Sequence, residues 1–249
     1  MSINQRYVYS LILSSCLLLT GAKCTLFGSS DGNSSGGDKD TRVEVSDEQK
    51  ISADSGNFNG NLDSGDQFGS AITGLGDLES DGVEDLAVGA PFDNDGGDEQ
   101  GSVWILFMDD NGRVDLERKI SSKKGDFGGN LSDNDLFGSA LAGVGDLNGD
   151  GAFDLAVGAP GEDSGNKDRG AVWMLFLNAE GGVREEQKIA DGTGGFDGNL
   201  KDDDRFGSAI ADIGDVNSDG ITDLAVGTPN NDDGSDNAGA VWILIGLEI

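Results

Sequence analysis

Residues 145 to 160 read GDLNGDGAFDLAVGAP, an acidic, glycine-rich turn set directly ahead of a short apolar run. Oxygen-bearing side chains alternate along the turn, and Gly-Ala-Pro closes the run. Altered copies flank it: GDLESDGVEDLAVGAP at residues 76 to 91 and GDVNSDGITDLAVGTP at residues 214 to 229. FGSA recurs with the same spacing at Phe68, Phe137 and Phe206, as do VWIL, VWML and VWIL at Val103, Val172 and Val241. Every interval is 69 residues. Three long copies without an insertion define a repeat architecture.

Within a unit the apolar period is that of strands. In the second copy, LFGSALAGVGD reads as a strand of small and apolar residues, followed by the acidic turn. FDLAVGAP is a second strand and GAVWMLFLN a third, apolar on both faces, with Val172, Met174 and Phe176 opposite Trp173 and Leu175. After a Gly-Gly turn, VREEQKIA is a more polar fourth strand. No window carries a capped 3.6-residue apolar stripe. A gradient from small inner residues to a polar outer strand is that of a propeller blade. The expected fold is therefore all-β, a propeller-like array of three four-stranded antiparallel blades; a plain antiparallel sandwich is the alternative.

The expected domain plan places this array at residues 42–249. VEVSDEQKIS, at residues 43 to 52, matches VDLERKISS and VREEQKIA in register, whereas the third unit reads only as far as its third strand, VWILIGLEI. The N-terminal strand is expected to complete the last blade, in cis or in trans, sealing a sheet edge. Exchange in trans would make a homo-oligomer, for example a six-bladed dimer.

The acidic turns carry the chemistry. Candidate ligands fall at positions 1, 3, 5, 7 and 9 of each turn. They are Asp77, Glu79, Asp81, the Val83 carbonyl and Asp85; then Asp146, Asn148, Asp150, the Ala152 carbonyl and Asp154. The third set is Asp215, Asn217, Asp219, the Ile221 carbonyl and Asp223. Gly151 at position 6 permits the tight turn. Hard oxygen ligands in a flexible loop suit Ca²⁺ better than Mg²⁺. Counting these carboxylates, the three sites would carry charges of about −4, −3 and −3, enough for a divalent ion. An EF-hand would require Glu at position 12, where Val88, Val157 and Val226 stand. About three Ca²⁺ sites are expected. An Asp- and Asn-rich turn without an ion is the alternative for any one copy.

These motifs resemble the FG-GAP repeats of integrin α-subunit propellers and of many exported bacterial proteins. The resemblance rests on Phe68-Gly69 with Gly89-Ala90-Pro91, Phe137-Gly138 with Gly158-Ala159-Pro160, and Phe206-Gly207 with Gly227-Thr228-Pro229. It covers residues 43 to 249 and implies a calcium-binding propeller with ions between strands 1 and 2 of each blade. Integrin propellers have seven blades, so three is a departure.

Composition narrows the partners. The 249-residue chain carries 16 Lys and Arg against 47 Asp and Glu, a formal charge of −31. Such a surface repels nucleic acid and anionic membranes. Histidine is absent, which removes the commonest general base. Both cysteines, Cys16 and Cys24, precede the repeats, so no disulfide framework supports them. Residues 1–22 read as an export signal, with a basic start, an apolar run and small residues for cleavage. Leu13-Ser14-Ser15-Cys16 also fits a lipobox with a lipid anchor on Cys16; simple cleavage is the alternative. Residues 23–41 read as a flexible Gly/Ser/Asp linker.

The expected function is an exported, non-catalytic binding or adhesion module, secreted or at the cell surface, with structural calcium and a protein or carbohydrate ligand. An enzyme acting on polysaccharide or lipid, or a purely architectural subunit, is the alternative. The loops between strands 2 and 3 differ most among the copies, which places Asp93, Asp95, Asp163 and Asp233 among candidate partner contacts.

Overall fold

The computed structural model describes residues 43–163 and 167–247. The expected export signal at 1–22, its Cys16 and the linker at 23–41 lie outside the described residues. Eleven strands form among the described residues, and no helix.

Blade 1 contains β1 (Ile72–Gly74), β2 (Leu86–Ala90), β3 (Ser102–Met108) and β4 (Val114–Ile120), in that spatial order. Blade 2 repeats it with β5 (Ala140–Gly145), β6 (Asp154–Ala159), β7 (Ala171–Leu177) and β8 (Val183–Ile189). Blade 3 has β9 (Ala209–Asp212), β10 (Leu224–Thr228) and β11 (Ala240–Leu244). All pairings within the blades are antiparallel, and register is the same in each blade: Val88 faces Trp104, Val157 faces Trp173, Val226 faces Trp242.

The third strands separate the blades as their two-faced sequence requires. Ile105 and Phe107 join the cluster of Leu155, Trp173 and Leu175, so one face of β3 packs on blade 2. Val172, Met174 and Phe176, on the opposite face of β7 from Trp173, pack with Leu224, Val226 and Leu244 of blade 3. Burial of each such side chain contributes about 1.5–3 kcal/mol. The polar fourth strands alternate as expected, β8 burying Val183 and Ile189 and exposing Arg184 and Glu185.

Successive blades are joined by a short parallel seam. Gly101 bridges Phe137 and Gly170 bridges Phe206. There the Phe137 N–H donates to the Gln100 carbonyl at 3.0 Å, and the Phe206 N–H to the Arg169 carbonyl at 2.9 Å. Close approach explains the glycines of Gly-Ala-Pro. A Cβ on Gly89 would stand 2.0 Å from the Gly138 carbonyl oxygen, and one on Gly158 equally near that of Gly207.

Two expectations need correction. The first strands are shorter than their apolar runs, because Leu136 and Arg205 take left-handed φ of 58° and 59° to make the seam. Among the described residues, 43–50 carry no regular structure and the third sheet contains three strands, so the N-terminal segment does not complete the last blade in cis there. Residues Asp47–Ile249 form one compact unit; of Met1–Ser46 only 43–46 are described.

Candidate metal centre

Each acidic turn joins the first two strands of its blade and is folded by its own carboxylates. In blade 2, Asp146 accepts the N–H groups of Asp150 at 3.0 Å and Gly151 at 2.9 Å. Asn148 Oδ1 also accepts from Asp150, and Asp150 Oδ1 accepts from Ala152 N–H. Blade 3 repeats these bonds with Asp215, Asn217 and Asp219. In blade 1, Asp77 and Asp81 do the same. Residue 6 is left-handed in every copy, with φ of 94° at Gly82, 92° at Gly151 and 91° at Gly220, a conformation that glycine adopts without strain.

Position 9 sits deeper. Asp85, Asp154 and Asp223 are at most 1% exposed. One oxygen of each accepts from position 2, the N–H of Leu78, Leu147 or Val216, at 2.9 Å. The other accepts from the turn or strand end beyond the third strand: Met108, Leu177 or Gly246. The residue thus ties the turn to the sheet. Burial raises the Asp154 carboxyl to about 6 despite these bonds, and raises Asp85 in the same direction. Glu79 is also raised, by burial first and then by Asp85, Asp81, Asp115 and Asp77. The exposed Asp219 carboxyl is lowered, chiefly by the Asn217 side chain.

Positions 1, 3, 5 and 9 are therefore brought onto one loop in each blade. Among the described residues no three acidic side chains already converge as a metal cluster; the carboxylates turn to backbone N–H groups. The donor set nevertheless fits a hard cation. Each carboxylate oxygen has two lone pairs, and one N–H occupies only one of them. A buried position-9 carboxyl held among like charges is also the environment that a divalent cation would relieve.

Residues beyond the turn tune it. Arg184 at the start of β8 places a guanidinium nitrogen 2.8 Å from Asp150 Oδ2. Its counterpart one repeat earlier is Asp115, which instead adds to the repulsion on Glu79. The opposite signs at one repeat position were readable in the sequence but not their approach to the turn.

The other end of the blades is more structural than expected. Asp93 is 3% exposed and paired with Lys119, so it is not a surface contact for a partner. Asp95 shares that lysine at 3.3 Å. Asp163 accepts the Asp168 N–H, while Asp233 lies on the surface 3.4 Å from Lys201 Nζ. Phe58, Phe127 and Phe196, in the loops leading into the first strands, pack edge-on against Trp104, Trp173 and Trp242. The 69-residue interval marked these aromatics too.

Fold and loops together define a repeat protein built of propeller blades, each with an oxygen-lined turn between its first two strands. The repeats are FG-GAP repeats: residues 68–106, 137–175 and 206–244 match that family. The chain is similar to integrin alpha-3 of Cricetulus griseus, 33% identical over 165 residues, covering 66% of this chain and 14% of the relative. It is 35% identical over 173 residues to integrin alpha-11 of Homo sapiens, covering 67% of this chain and 13% of the relative. Integrin alpha-PS2 of Drosophila melanogaster is 33% identical over 181 residues, 69% of this chain and 11% of that protein. The chain thus spans about a seventh or less of the length of these relatives.

Proposed function

We propose that the chain is an exported, non-catalytic binding or adhesion module whose blades are stiffened by calcium in the turns between strands 1 and 2. The observation that carries this reading is the threefold recurrence of one oxygen-lined, hydrogen-bonded turn at the same place in each blade. A catalytic centre would break the repeat at one point, whereas these carboxylates follow it. The ligands proposed are the side chains at positions 1, 3, 5 and 9 with the carbonyls of Val83, Ala152 and Ile221. Bound Ca²⁺ would supply the positive charge that offsets repulsion among these carboxylates. The backbone N–H groups fix each carboxylate rotamer beforehand, which lowers the ordering cost of binding.

Ligand recognition is assigned to the opposite end of the blades, where the loops after β2, β6 and β10 differ in sequence, and the ligand to a protein or carbohydrate at the cell surface. Similarity to integrin α-subunits supports a binding role rather than a reaction. Residues 1–22 would direct export, and Cys16 offers a lipid anchor.

Thermal melting of the wild type and of Asp146→Ala/Asp150→Ala, with calcium and with chelator, tests the calcium assignment. The wild type should melt higher in calcium, and the double variant should lose part of that gain. Identical melting of the wild type in both conditions would overturn structural calcium.

A further inference from the structure

Blade 3 repeats the sequence of blades 1 and 2 but not their burial. Val103, Ile105 and Phe107 are at most 1% exposed because blade 2 covers them, and Val172, Met174 and Phe176 at most 7% because blade 3 does. Their register mates Val241, Ile243 and Ile245 are 67%, 48% and 54% exposed.

The seam beside them is formed in advance. At the two complete seams the blade whose carbonyls accept has a left-handed residue, Glu99 or Asp168, with φ of 50° and 46°. The following blade, whose N–H groups donate, has Leu136 or Arg205. Blade 3 holds the first half in the same form, with Asn237 at 50°, and blade 1 holds the second half, with Gln67 at 54°. A groove lined by Ala209, Gly227, Pro229, Gly239 and Val241 stands where Phe137-Gly138 and Phe206-Gly207 dock on their preceding blades. Phe68, the third member of that series, is partly exposed, whereas Phe137 and Phe206 are fully buried.

A lysine slot is also half-built. Lys119 lies 5.4 Å above the Trp104 ring and bonds Asp93 and Asp95; Lys188 lies 5.7 Å above Trp173 and pairs with Glu162. Blade 3 offers Trp242 with Asn231 and Asp233 but no fourth strand among the described residues. The lysine of that register is Lys50, exposed in a segment outside any strand, beside Val43 and Val45 at 95% and 79% exposure.

We propose that the trailing side of blade 3 binds the leading side of blade 1 of a second copy. Residues 43–50 of that copy become the fourth strand beside β11, Lys50 lies over Trp242, and Phe68-Gly69 fills the Gly227–Gly239 groove. The register of β3 on β4 pairs Trp104 with Lys119 and Ile105 with Arg118. The exchanged strand would accordingly pair Trp242 with Lys50 and Ile243 with Gln49. Two head-to-tail copies give six blades, within the usual four to eight, and bury both sides. This inference stands independently of the metal.

The test is the particle mass of the full chain in solution, with two variants and one cross-link. The wild type should be a dimer. Gly227→Ala asks its own blade for only a few tenths of an ångström of give, since the nearest atom to the new Cβ is the Ala209 Cβ at 3.3 Å, but it should collide with the incoming Gly69 carbonyl as its counterparts would with Gly138 and Gly207. Gly227→Ala and Lys50→Glu should each weaken dimerisation at least tenfold with the circular dichroism of the fold retained. Gln49→Cys combined with Ile243→Cys should give a covalent dimer under oxidation that neither single variant gives. A monomeric wild type, or a dimer indifferent to both variants and not trapped by the cysteine pair, would overturn the proposal; an open-ended polymer would overturn the six-bladed ring.

Discussion

Lys119 Nζ stands 2.6 Å from Asp93 Oδ2, with the two side chains 9% and 4% exposed. The pair joins the outer strand β4 to the loop after β2, and the Ser102 hydroxyl also donates to the same carboxylate oxygen at 2.8 Å. Removing one charge from a buried pair leaves the other uncompensated, which costs more than the pair itself contributes. Lys119→Met should therefore lower stability by about 3 kcal/mol. Adding Asp93→Asn to that variant should recover at least half of the loss. Urea denaturation of the two variants and the wild type measures both changes; a double variant no more stable than Lys119→Met would show that packing, not charge, dominates.

On the calcium assignment proposed above, removal of the ion should not affect the three turns equally. Calcium at a hundred times its dissociation constant stabilises a folded protein by about 2.7 kcal/mol per site. The first turn carries four candidate carboxylates with Asp115 nearby, whereas the middle turn already holds the Arg184 guanidinium against Asp150. Asp77→Asn should thus remove more of the calcium-induced rise in melting temperature than Asp146→Asn. Arg184→Ala should tighten calcium binding, which titration calorimetry reads directly.

The blade order, the two-faced third strands and all three oxygen turns were legible because each is written three times at a fixed interval. Repetition also exposed Trp104, Trp173 and Trp242, but not that Lys119 and Lys188 lie over two of them, since a lysine in a polar strand reads as solvated. The burial of Asp93 is hidden for the same reason: its loop is acidic and variable, and only the approach of β4 buries it. The break in residues 43–50 was invisible because a strand needs a neighbour, and that neighbour is not adjacent in the chain. Left-handed residues such as Gln67 and Leu136 have no side-chain signature in common, so the seam could not be read from composition.

Asp135, alongside Asp154, makes stability depend on pH. It is 1% exposed, its Oδ1 has no hydrogen-bond partner, and burial raises its carboxyl from the ordinary 3.8 to about 6, against the Ser132 N–H that favours ionisation. A raised folded-state value means the folded protein holds this proton more tightly than the unfolded chain. The contribution is fully present below pH 3.8 and is lost as pH rises through about 6. The difference corresponds to about 3 kcal/mol. Asp135→Asn keeps an acceptor for the Ser132 N–H and cannot ionise. Its stability relative to wild type should improve by about that amount between about pH 3 and about pH 8, followed by urea unfolding at each pH. A constant difference across the range would place the raised carboxyl elsewhere.

Two glycines should fail for different reasons. Gly158 does not have a positive φ, so an alanine there is conformationally ordinary, yet its Cβ would lie 2.0 Å from the Gly207 carbonyl oxygen across the seam. Gly151 has a φ of 92° but nothing within 4 Å of an added Cβ. Gly151→Ala should therefore cost about 1–2 kcal/mol as local backbone strain and leave the blades packed. Gly158→Ala has no such local remedy, because the group that its Cβ would strike is the Gly207 backbone carbonyl. It should cost more than 3 kcal/mol, in the range reserved for overpacked cores and broken seams. Hydrogen exchange separates the two outcomes: Gly158→Ala should deprotect the Phe206 N–H, which bonds the Arg169 carbonyl across that seam, while Gly151→Ala should leave it protected.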